Sequence, residues 1–231
     1  MHFPRLACRP RCSILDPRSS IRPFDAAILV AFLLTALLAA TALAQGRAPV
    51  LLVVGDSISA GYGLARGEGW VDLLVARLAS DGYREHVVNA SISGDTTAGG
   101  RARLPALLRE HHPSIVIIEL GGNDALRGGN LDATRQNLDA MVKAVRAAHA
   151  RPLLIGMKVP PNYGTAYARR FDALFGDVAK ANDVALVPYA FEGFGDDLTQ
   201  FQDDRIHPKA QAEARILDNV WPTLAPLLSK R

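Results

Sequence analysis

Residues 51–63 read LLVVGDSISAGYG, an apolar run that ends directly on Gly55, Asp56 and Ser57. Because Gly, Asp and Ser are ordinary turn residues, the stretch is compatible with a buried strand that ends in a simple turn. The same position also suits a nucleophile, since free backbone N–H groups at the start of the next segment favour developing negative charge. The stretch on its own therefore leaves two roles open for Ser57, a cap of a helix or an attacking hydroxyl.

Short apolar runs alternate with longer amphipathic stretches along the rest of the chain. The predicted strands cover residues 50–54, 87–91, 114–120, 152–159 and 184–189. Their nearly continuous Val, Ile and Leu content is typical of strands buried on both faces of a parallel sheet. Helical periodicity predicts helices over 70–82, 134–150, 167–182 and 209–228, the last kinked or broken at Pro222. This alternation predicts one doubly wound α/β sandwich.

The first 44 residues differ in composition from the rest of the chain. They hold five Arg and two Asp, so the 26 basic and 23 acidic residues of the whole chain become 21 and 21 without them. Arginines, the apolar run 26–44 and small residues at Ala42 and Ala44 are typical of a secretory signal. We therefore expect a signal peptide over 1–44, cleaved after Ala44. The alternative is an uncleaved membrane anchor, because the run nearly reaches the about 20 residues that span a bilayer.

The part of the chain that remains after cleavage would be close to neutral and free of cysteine. It has no stripe of Lys and Arg with interleaved aromatic residues, which argues against a nucleic-acid partner. Cys8 and Cys12 both lie in the predicted leader, so no disulfide or thiolate nucleophile is expected in residues 45–231. We also predict no cofactor, no metal, no stable membrane anchor after cleavage, a monomer or weak oligomer, and a periplasmic or secreted location.

A polar or Gly-rich cluster follows each predicted strand. The clusters are GDS at 55–57, ISGDTT at 92–97, GGND at 121–124, PPNYG at 160–164 and DDRIHP at 203–208. Ligands of open parallel sheets bind outside the carboxyl ends of the strands. These clusters would meet at that edge, which predicts a functional site there.

Chemistry-bearing residues in these clusters each have a simpler structural interpretation. Asp204 precedes His207 by three residues, which lets the carboxylate reach one ring nitrogen while the other nitrogen faces outward. The same segment could equally be a solvated loop before a helix. Asn123 and Gly94 are ordinary turn residues, but an amide or a backbone N–H at these places could also stabilise an oxyanion. The chain lacks a G-x-S-x-G elbow, which argues against the α/β-hydrolases that carry one.

Taken together, the ordered set Gly55-Asp56-Ser57, Gly94, GGND and Asp204-x-x-His207 resembles the four blocks of the SGNH, or GDSL, hydrolases. The resemblance covers essentially all of residues 45–231. The segments VVNASISGDTTAGGRARLPALL and IELGGNDALRG are similar to the bacterial periplasmic acyl-CoA thioesterase, lysophospholipase and arylesterase branch. The resemblance implies a flavodoxin-like three-layer α/β/α sandwich with a five-stranded parallel sheet.

The resemblance also implies an activity and a role for each matching residue. The enzyme would hydrolyse acyl esters or thioesters, such as aryl esters, lysophospholipids or acyl-CoA, through an acyl-enzyme intermediate. Ser57 would be the nucleophile, His207 the general base and Asp204 the acid that orients it. The backbone N–H groups of Ser57 and Gly94 and the side-chain amide of Asn123 would form the oxyanion hole.

An acyl group would need an apolar groove beside Ser57. The candidates are Ile58, Leu120, Val159, Pro160 and Tyr163, with packing in the core or in loops as the alternative role. Two other functions stay open at this point, a carbohydrate acetylesterase on the same fold and a non-catalytic acyl- or lipid-binding protein. Acyl length, head group and thioester preference are not readable from these residues.

Overall fold

The five apolar runs form the strands of one parallel sheet. The structure, a computed structural model, describes residues 48–159 and 161–229. The strands are β1 (Val50–Gly55), β2 (His86–Asn89), β3 (Ile115–Glu119), β4 (Arg151–Ile155) and β5 (Ala185–Val187), in the spatial order β2-β1-β3-β4-β5. Each neighbouring pair is parallel, as predicted. The predicted leader over 1–44 lies outside the described residues.

Seven α-helices connect and follow these strands in the described part of the chain. They are α1 (Ser57–Ala60), α2 (Trp70–Ser80), α3 (Thr97–His111), α4 (Gly122–Leu126), α5 (Leu131–Ala147), α6 (Thr165–Asn182) and α7 (Ala210–Leu224). Helix α2 packs on α7, whereas α5 packs between α3 and α6. The chain steps from β1 to β2 toward one edge of the sheet, and from β2 through β3, β4 and β5 toward the other edge. Because the crossovers are right-handed, α2 and α7 lie on one face of the sheet and α3, α5 and α6 on the other. The predicted three-layer sandwich is confirmed.

Central strands supply the middle of the core. Four consecutive β1 side chains, Leu51 to Val54, are fully buried, and so are Ile115 to Ile118 of β3. A strand covered by helices on both faces has no side for polar residues, which explains why these runs do not alternate. Among residues 48–159 and 161–229, no helix has both the length and the apolar character needed to cross a membrane.

Helix α3 is absent from the helices that periodicity predicts. It contains Gly99, Gly100 and Pro105, residue types that weaken a helix. Its first turn is capped by Thr96, whose hydroxyl accepts a hydrogen bond from the Gly99 N–H at 3.2 Å. A Cβ on Gly100 would lie 2.2 Å from Leu120 Cδ1, so glycine is what lets this helix approach the end of β3. Tertiary packing therefore overrides the weak local propensity.

Helix α7 continues past Pro222 to Leu224, so of the predicted kink or break at this proline the break is wrong. Proline cannot donate to the carbonyl four residues earlier, which belongs to Asp218. Asp218 is exposed, so water can take the place of the missing donor. Val220 and Leu224 are fully buried on either side of the proline and hold the last turn against the core.

A buried carboxyl group joins α2 to α7. Glu213 is 1% exposed, and its Oε2 accepts a hydrogen bond from the Trp70 N–H at 2.8 Å. Burial raises the pKa of Glu213 from 4.5 to about 7, although the Trp70 hydrogen bond acts in the opposite direction. Folding therefore opposes ionisation of this group. The free energy of unfolding falls as the pH rises from 4.5 to about 7, because the unfolded chain ionises Glu213 more easily than the folded protein does.

Glu213→Gln should accordingly make the protein more stable at alkaline pH. The amide oxygen can still accept the Trp70 N–H, and the cost of a buried charge is removed. We expect the free energy of unfolding in urea to rise by about 2 kcal/mol near pH 8.5, and the gain to vanish near about pH 4, where both states are neutral. The exposed Glu110→Gln serves as the control and should show no such trend. A gain that does not depend on pH would contradict the assignment.

Candidate active site

Ser57 lies at the first position of α1, directly beyond the end of β1. The cap of this short helix is Asp56, whose Oδ1 accepts a hydrogen bond from the Ile58 N–H at 3.0 Å. The Ser57 hydroxyl is therefore free of capping, and its Oγ lies 2.8 Å from Nε2 of His207. The sequence left Ser57 two roles, a helix cap or a nucleophile, and the structure gives the cap to Asp56.

The loop before α7 places His207 opposite Ser57. Nδ1 of His207 lies 2.7 Å from Oδ2 of Asp204, and the backbone N–H groups of Ile206 and His207 donate to Oδ1 of Asp204 at 2.9 and 3.0 Å. Burial would raise the pKa of Asp204, but these hydrogen bonds outweigh it and hold the pKa below its ordinary value. The ring of Tyr62 packs on the imidazole at 4.5 Å between centroids. Asp204 is thus an ionised carboxylate that orients the imidazole.

Gly94 and Asn123 face the same cavity as Ser57 and His207. The Asn123 amide donates one hydrogen bond to Oδ2 of Asp56 at 3.0 Å. Gly94 has a φ of +78°, a conformation that glycine adopts without strain, and its carbonyl accepts a hydrogen bond from Arg127 at 3.0 Å. The structure therefore brings all five residues of the predicted triad and oxyanion hole to one place.

A partly buried guanidinium holds the loop that carries Gly94. Nε of Arg103 lies 2.8 Å from Oδ2 of Asp95, with the two side chains 20% and 11% exposed. The same guanidinium donates to the carbonyl oxygens of Ala90 and, at 3.3 Å, Gly55. Arg103 thus connects the loop after β2 with the end of β1, and so holds Gly94 close to the Ser57 turn.

The cavity beside Ser57 has a volume of about 1060 Å³. Of the predicted groove residues, Ile58 and Val159 line it, and Pro160 lies outside the described residues. The prediction is wrong for Leu120, which is fully buried and packs against Gly100 of α3. Tyr163 is not among the lining residues, but its hydroxyl donates to the carbonyl of Leu126, which does line the cavity.

The opposite wall of the cavity comes from a segment that the sequence interpretation left out. It is formed by the long loop after β5, whose lining side chains include Tyr189, Phe191, Phe194, Leu198 and Phe201. Phe191, Phe194 and Phe201 contact one another, with ring centroids 5.4 to 6.0 Å apart. Their signal in the sequence is a concentration of aromatic residues in a stretch otherwise rich in Gly and Asp, which is unusual for a solvated loop.

The described residues 48–159 and 161–229 contain no group of three or more His, Cys, Asp or Glu arranged to hold a metal ion. A parallel α/β sandwich with Asp, His and Ser hydrogen-bonded in series at the edge of its sheet is the arrangement of a serine hydrolase. Comparisons with known proteins agree with this class.

A family model described as the GDSL-like lipase/acylhydrolase family matches residues 53–215. Esterase TesA of Pseudomonas aeruginosa is 55% identical over 184 residues, which cover 80% of this chain and 92% of that protein. Thioesterase 1/protease 1/lysophospholipase L1 of Escherichia coli is 44% identical over 182 residues, covering 79% and 86%. An arylesterase of Vibrio mimicus is 40% identical over 170 residues, covering 74% and 85%.

A crystal structure of TesA superimposes on this chain with a TM-score of 0.76 and 55% identity, covering 78% of this chain and 99% of that one. The chain therefore belongs to the GDSL-like lipase/acylhydrolase family. It is a serine esterase or thioesterase, as the resemblance implied, and the alternative of a non-catalytic binding protein falls away.

Arg103→Leu should destabilise the protein because it leaves Asp95 without its partner in a partly buried site. We expect the free energy of unfolding in urea to fall by about 2 to 4 kcal/mol. Arg101→Leu, two residues earlier on α3, is the matched control. Arg101 is exposed and donates to Asn137, so its loss should cost less than about 0.5 kcal/mol. Equal losses for the two variants would refute the role given to Arg103.

Proposed function

We propose that this enzyme cleaves acyl esters or thioesters with Ser57 as its nucleophile, His207 as its general base and Asp204 as the acid that orients His207. The observation that carries the proposal is the continuous series of hydrogen bonds from Asp204 through His207 to Ser57, at 2.7 and 2.8 Å. The hydroxyl at the end of the series opens into the cavity. A base in contact with a hydroxyl and fixed from behind by a carboxylate is what activates a serine for attack.

In the proposed reaction Nε2 of His207 takes the proton of Ser57 as Oγ attacks the carbonyl carbon. The backbone N–H groups of Ser57 and Gly94 and the Asn123 amide would donate to the oxyanion. Asn123 uses one of its two N–H bonds on Asp56, which leaves the other for the substrate. Each such donor is worth about 3 kcal/mol in the transition state. His207 then protonates the leaving alcohol or thiol, and an activated water hydrolyses the acyl-enzyme.

The cavity supports an acyl chain or an aryl group as the apolar part of the substrate. Ile58, Met157 and Val159 provide aliphatic surface on one side, and the aromatic residues of the loop after β5 provide the other. The names of the relatives extend the candidates to aryl esters, lysophospholipids and acyl thioesters. A carbohydrate acetylesterase stays the alternative, because Lys158, Glu192 and Arg205 also line the cavity and offer polar groups for sugar hydroxyls.

We further infer that the enzyme acts outside the cytoplasm. The support is the sequence of residues 1–44, with arginines, an apolar run and a small-x-small ending at Ala44. The relatives compared here come from bacteria, in which such a leader directs a protein to the periplasm or the medium. Residues 45–231 would then be the exported hydrolase domain.

A fluorophosphonate probe tests the nucleophile directly, since it reacts with an activated serine hydroxyl. The wild-type protein should be labelled with a one-to-one stoichiometry, and Ser57→Ala should take up no label and hydrolyse no nitrophenyl ester. Ser93→Ala is the control because Ser93 lines the same cavity; this variant should still be labelled. Label on Ser57→Ala, or on a peptide that lacks Ser57, would overturn the assignment.

Leu198→Trp tests whether acyl chains occupy the space under the loop after β5. Leu198 lines the cavity and is 54% exposed, so the larger ring can be accommodated while it narrows the cavity. We expect kcat/KM to fall about tenfold or more for palmitate relative to acetate in a series of nitrophenyl esters. Val75→Trp, on the exposed face of α2, should leave the series unchanged. An acetylated sugar assayed in parallel would expose a preference for carbohydrate esters.

A further inference from the structure

Two carboxyl groups lie buried beneath the turn that carries Ser57, and the proposed reaction uses neither. Asp56 is 2% exposed and Glu119 is 1% exposed. Parallel pairing of β1 with β3 places Gly55 next to Glu119 at the ends of the two strands. A buried pair of acids at the foot of a catalytic turn is costly unless its protons and hydrogen bonds are arranged to reduce repulsion.

Glu119 holds the turn through a single oxygen. Its Oε2 accepts hydrogen bonds from the Asp56 N–H at 3.3 Å and from the Ser59 hydroxyl at 2.8 Å. A Cβ on Gly55 would lie 2.8 Å from the same oxygen, so glycine is what admits the carboxyl group here. The other oxygen, Oε1, is buried and has no hydrogen-bond partner in the described part of the chain. An unpartnered buried oxygen costs more on a charged carboxylate than on a neutral acid, so this environment suits the neutral acid.

Asp56 has the opposite environment, because both of its oxygens accept hydrogen bonds. Oδ1 accepts from the Ile58 N–H and Oδ2 from the Asn123 amide, each at 3.0 Å. Burial raises the pKa of Glu119 well above its ordinary value, and the nearby Asp56 charge raises it further. Burial also raises the pKa of Asp56, to about 6, against the effect of its two donors. At neutral pH the pair therefore carries one negative charge, on Asp56, and one proton, on Glu119.

Other charged groups face the pair from the surrounding elements. His207 approaches from the loop before α7, and Asp95 approaches from the loop after β2. Arg103 reaches the Gly55 carbonyl from α3 and neutralises Asp95. The His207 ring lowers the pKa of Asp56 more than the Asp95 charge raises it, so these two neighbours together favour the charge on Asp56.

We propose that Glu119 is a positioning residue of the active site, whose neutral carboxyl group holds the Ser57 turn and leaves the negative charge of the pair on Asp56, which orients the Asn123 amide. The inference rests on the proposed function, because it assigns Asn123 to the oxyanion hole. Asp56 joins the two halves of the site, since its backbone N–H is fixed by Glu119 and its side chain fixes Asn123. Glu119 thereby acts on the reaction without touching the substrate.

The test compares Glu119→Gln with Glu119→Ala, and uses the exposed Glu110→Gln as the control. Glutamine keeps an oxygen for the Asp56 N–H and the Ser59 hydroxyl, whereas alanine removes it. We expect Glu119→Ala to lower kcat for a nitrophenyl ester about tenfold or more while KM changes less than about threefold. Glu119→Gln should restore kcat to within about threefold of the wild type. It should also leave the acid limb of the pH–rate profile in place, because it replaces a neutral group by a neutral group.

Infrared spectroscopy tests the proton itself without any substrate. Because Glu213 has a pKa of about 7, all proteins compared carry Glu213→Gln as a common background. A protonated carboxylic acid has a C=O stretch distinct from that of a carboxylate, and at neutral pH this band should be present in that background and in Glu110→Gln. It should be missing from Glu119→Gln. A Glu213→Gln background without the band, or a Glu119→Gln variant in that background that keeps it, would overturn the proposal even if Glu119→Ala failed to fold.

The kinetic outcomes also separate this inference from the proposed function. Unchanged kcat in Glu119→Ala would show that the turn needs no such support. A Glu119→Gln variant as impaired as Glu119→Ala, or one with its acid limb shifted to lower pH, would mean that Glu119 works as an anion. Either result would overturn the positioning role while Ser57 remained labelled by the fluorophosphonate. Absence of both labelling and hydrolysis in the wild type would instead contradict the proposed function.

Discussion

The parallel pairing of β1 with β3 is the constraint on which the rest of the site depends. Its register sets Gly55 beside Glu119, so the Ser57 turn and the segment with Asn123 leave the sheet at the same level. A shift by one residue would exchange the faces of every side chain in these strands, which are buried on both sides. The core thus holds the two strand ends in an alignment that lets the Asp56 side chain reach Asn123.

The remaining parts of the site reach the same edge by loops, and each loop is held by hydrogen bonds from more than one element. Arg103 ties the Gly94 loop to the end of β1. Gln202 holds the His207 loop on the other side of the site. Its backbone N–H donates to the His207 carbonyl at 2.7 Å, and its side-chain amide donates to the Tyr62 carbonyl at 2.8 Å. The imidazole is therefore fixed both by Asp204 and by the hydrogen bond from Gln202 to the His207 backbone. Preorganisation of this kind keeps donors and base in place before substrate arrives.

The sequence alone allowed the sheet, its parallel sense and the position of the polar clusters to be predicted, because uninterrupted apolar runs have few other interpretations. The residues Ser57, Gly94, Asn123, Asp204 and His207 also lie together, as their places after the strands predicted. Leu120 was misplaced, since a residue just past a strand can turn toward the helix layer as easily as toward the cavity. The aromatic wall was missed because contacts among Phe191, Phe194 and Phe201 depend on how a long loop folds back, which has no periodicity to read.

Helix α3 shows the same limit in the fold itself. Its glycines and proline weaken any local signal, and only the close approach of Gly100 to Leu120 explains why a helix is stable there. Buried acids such as Glu119 and Glu213 were likewise not singled out, because a Glu at the end of a strand or inside an amphipathic helix gives no indication of its partner. Protonation states arise from the assembled structure, and so they become visible only once burial and hydrogen bonds are known.

The central claim is that hydrolysis passes through a covalent acyl group on Ser57. The most direct measurement is mass spectrometry of the intact protein, quenched with acid within the first turnover of a nitrophenyl ester, followed by peptide mapping. The account predicts a mass increase equal to one acyl group, located on the peptide that contains Ser57 and decaying as the ester is consumed. An acyl group on another residue would contradict it, as would full hydrolytic activity with no adduct at any time in the first turnover.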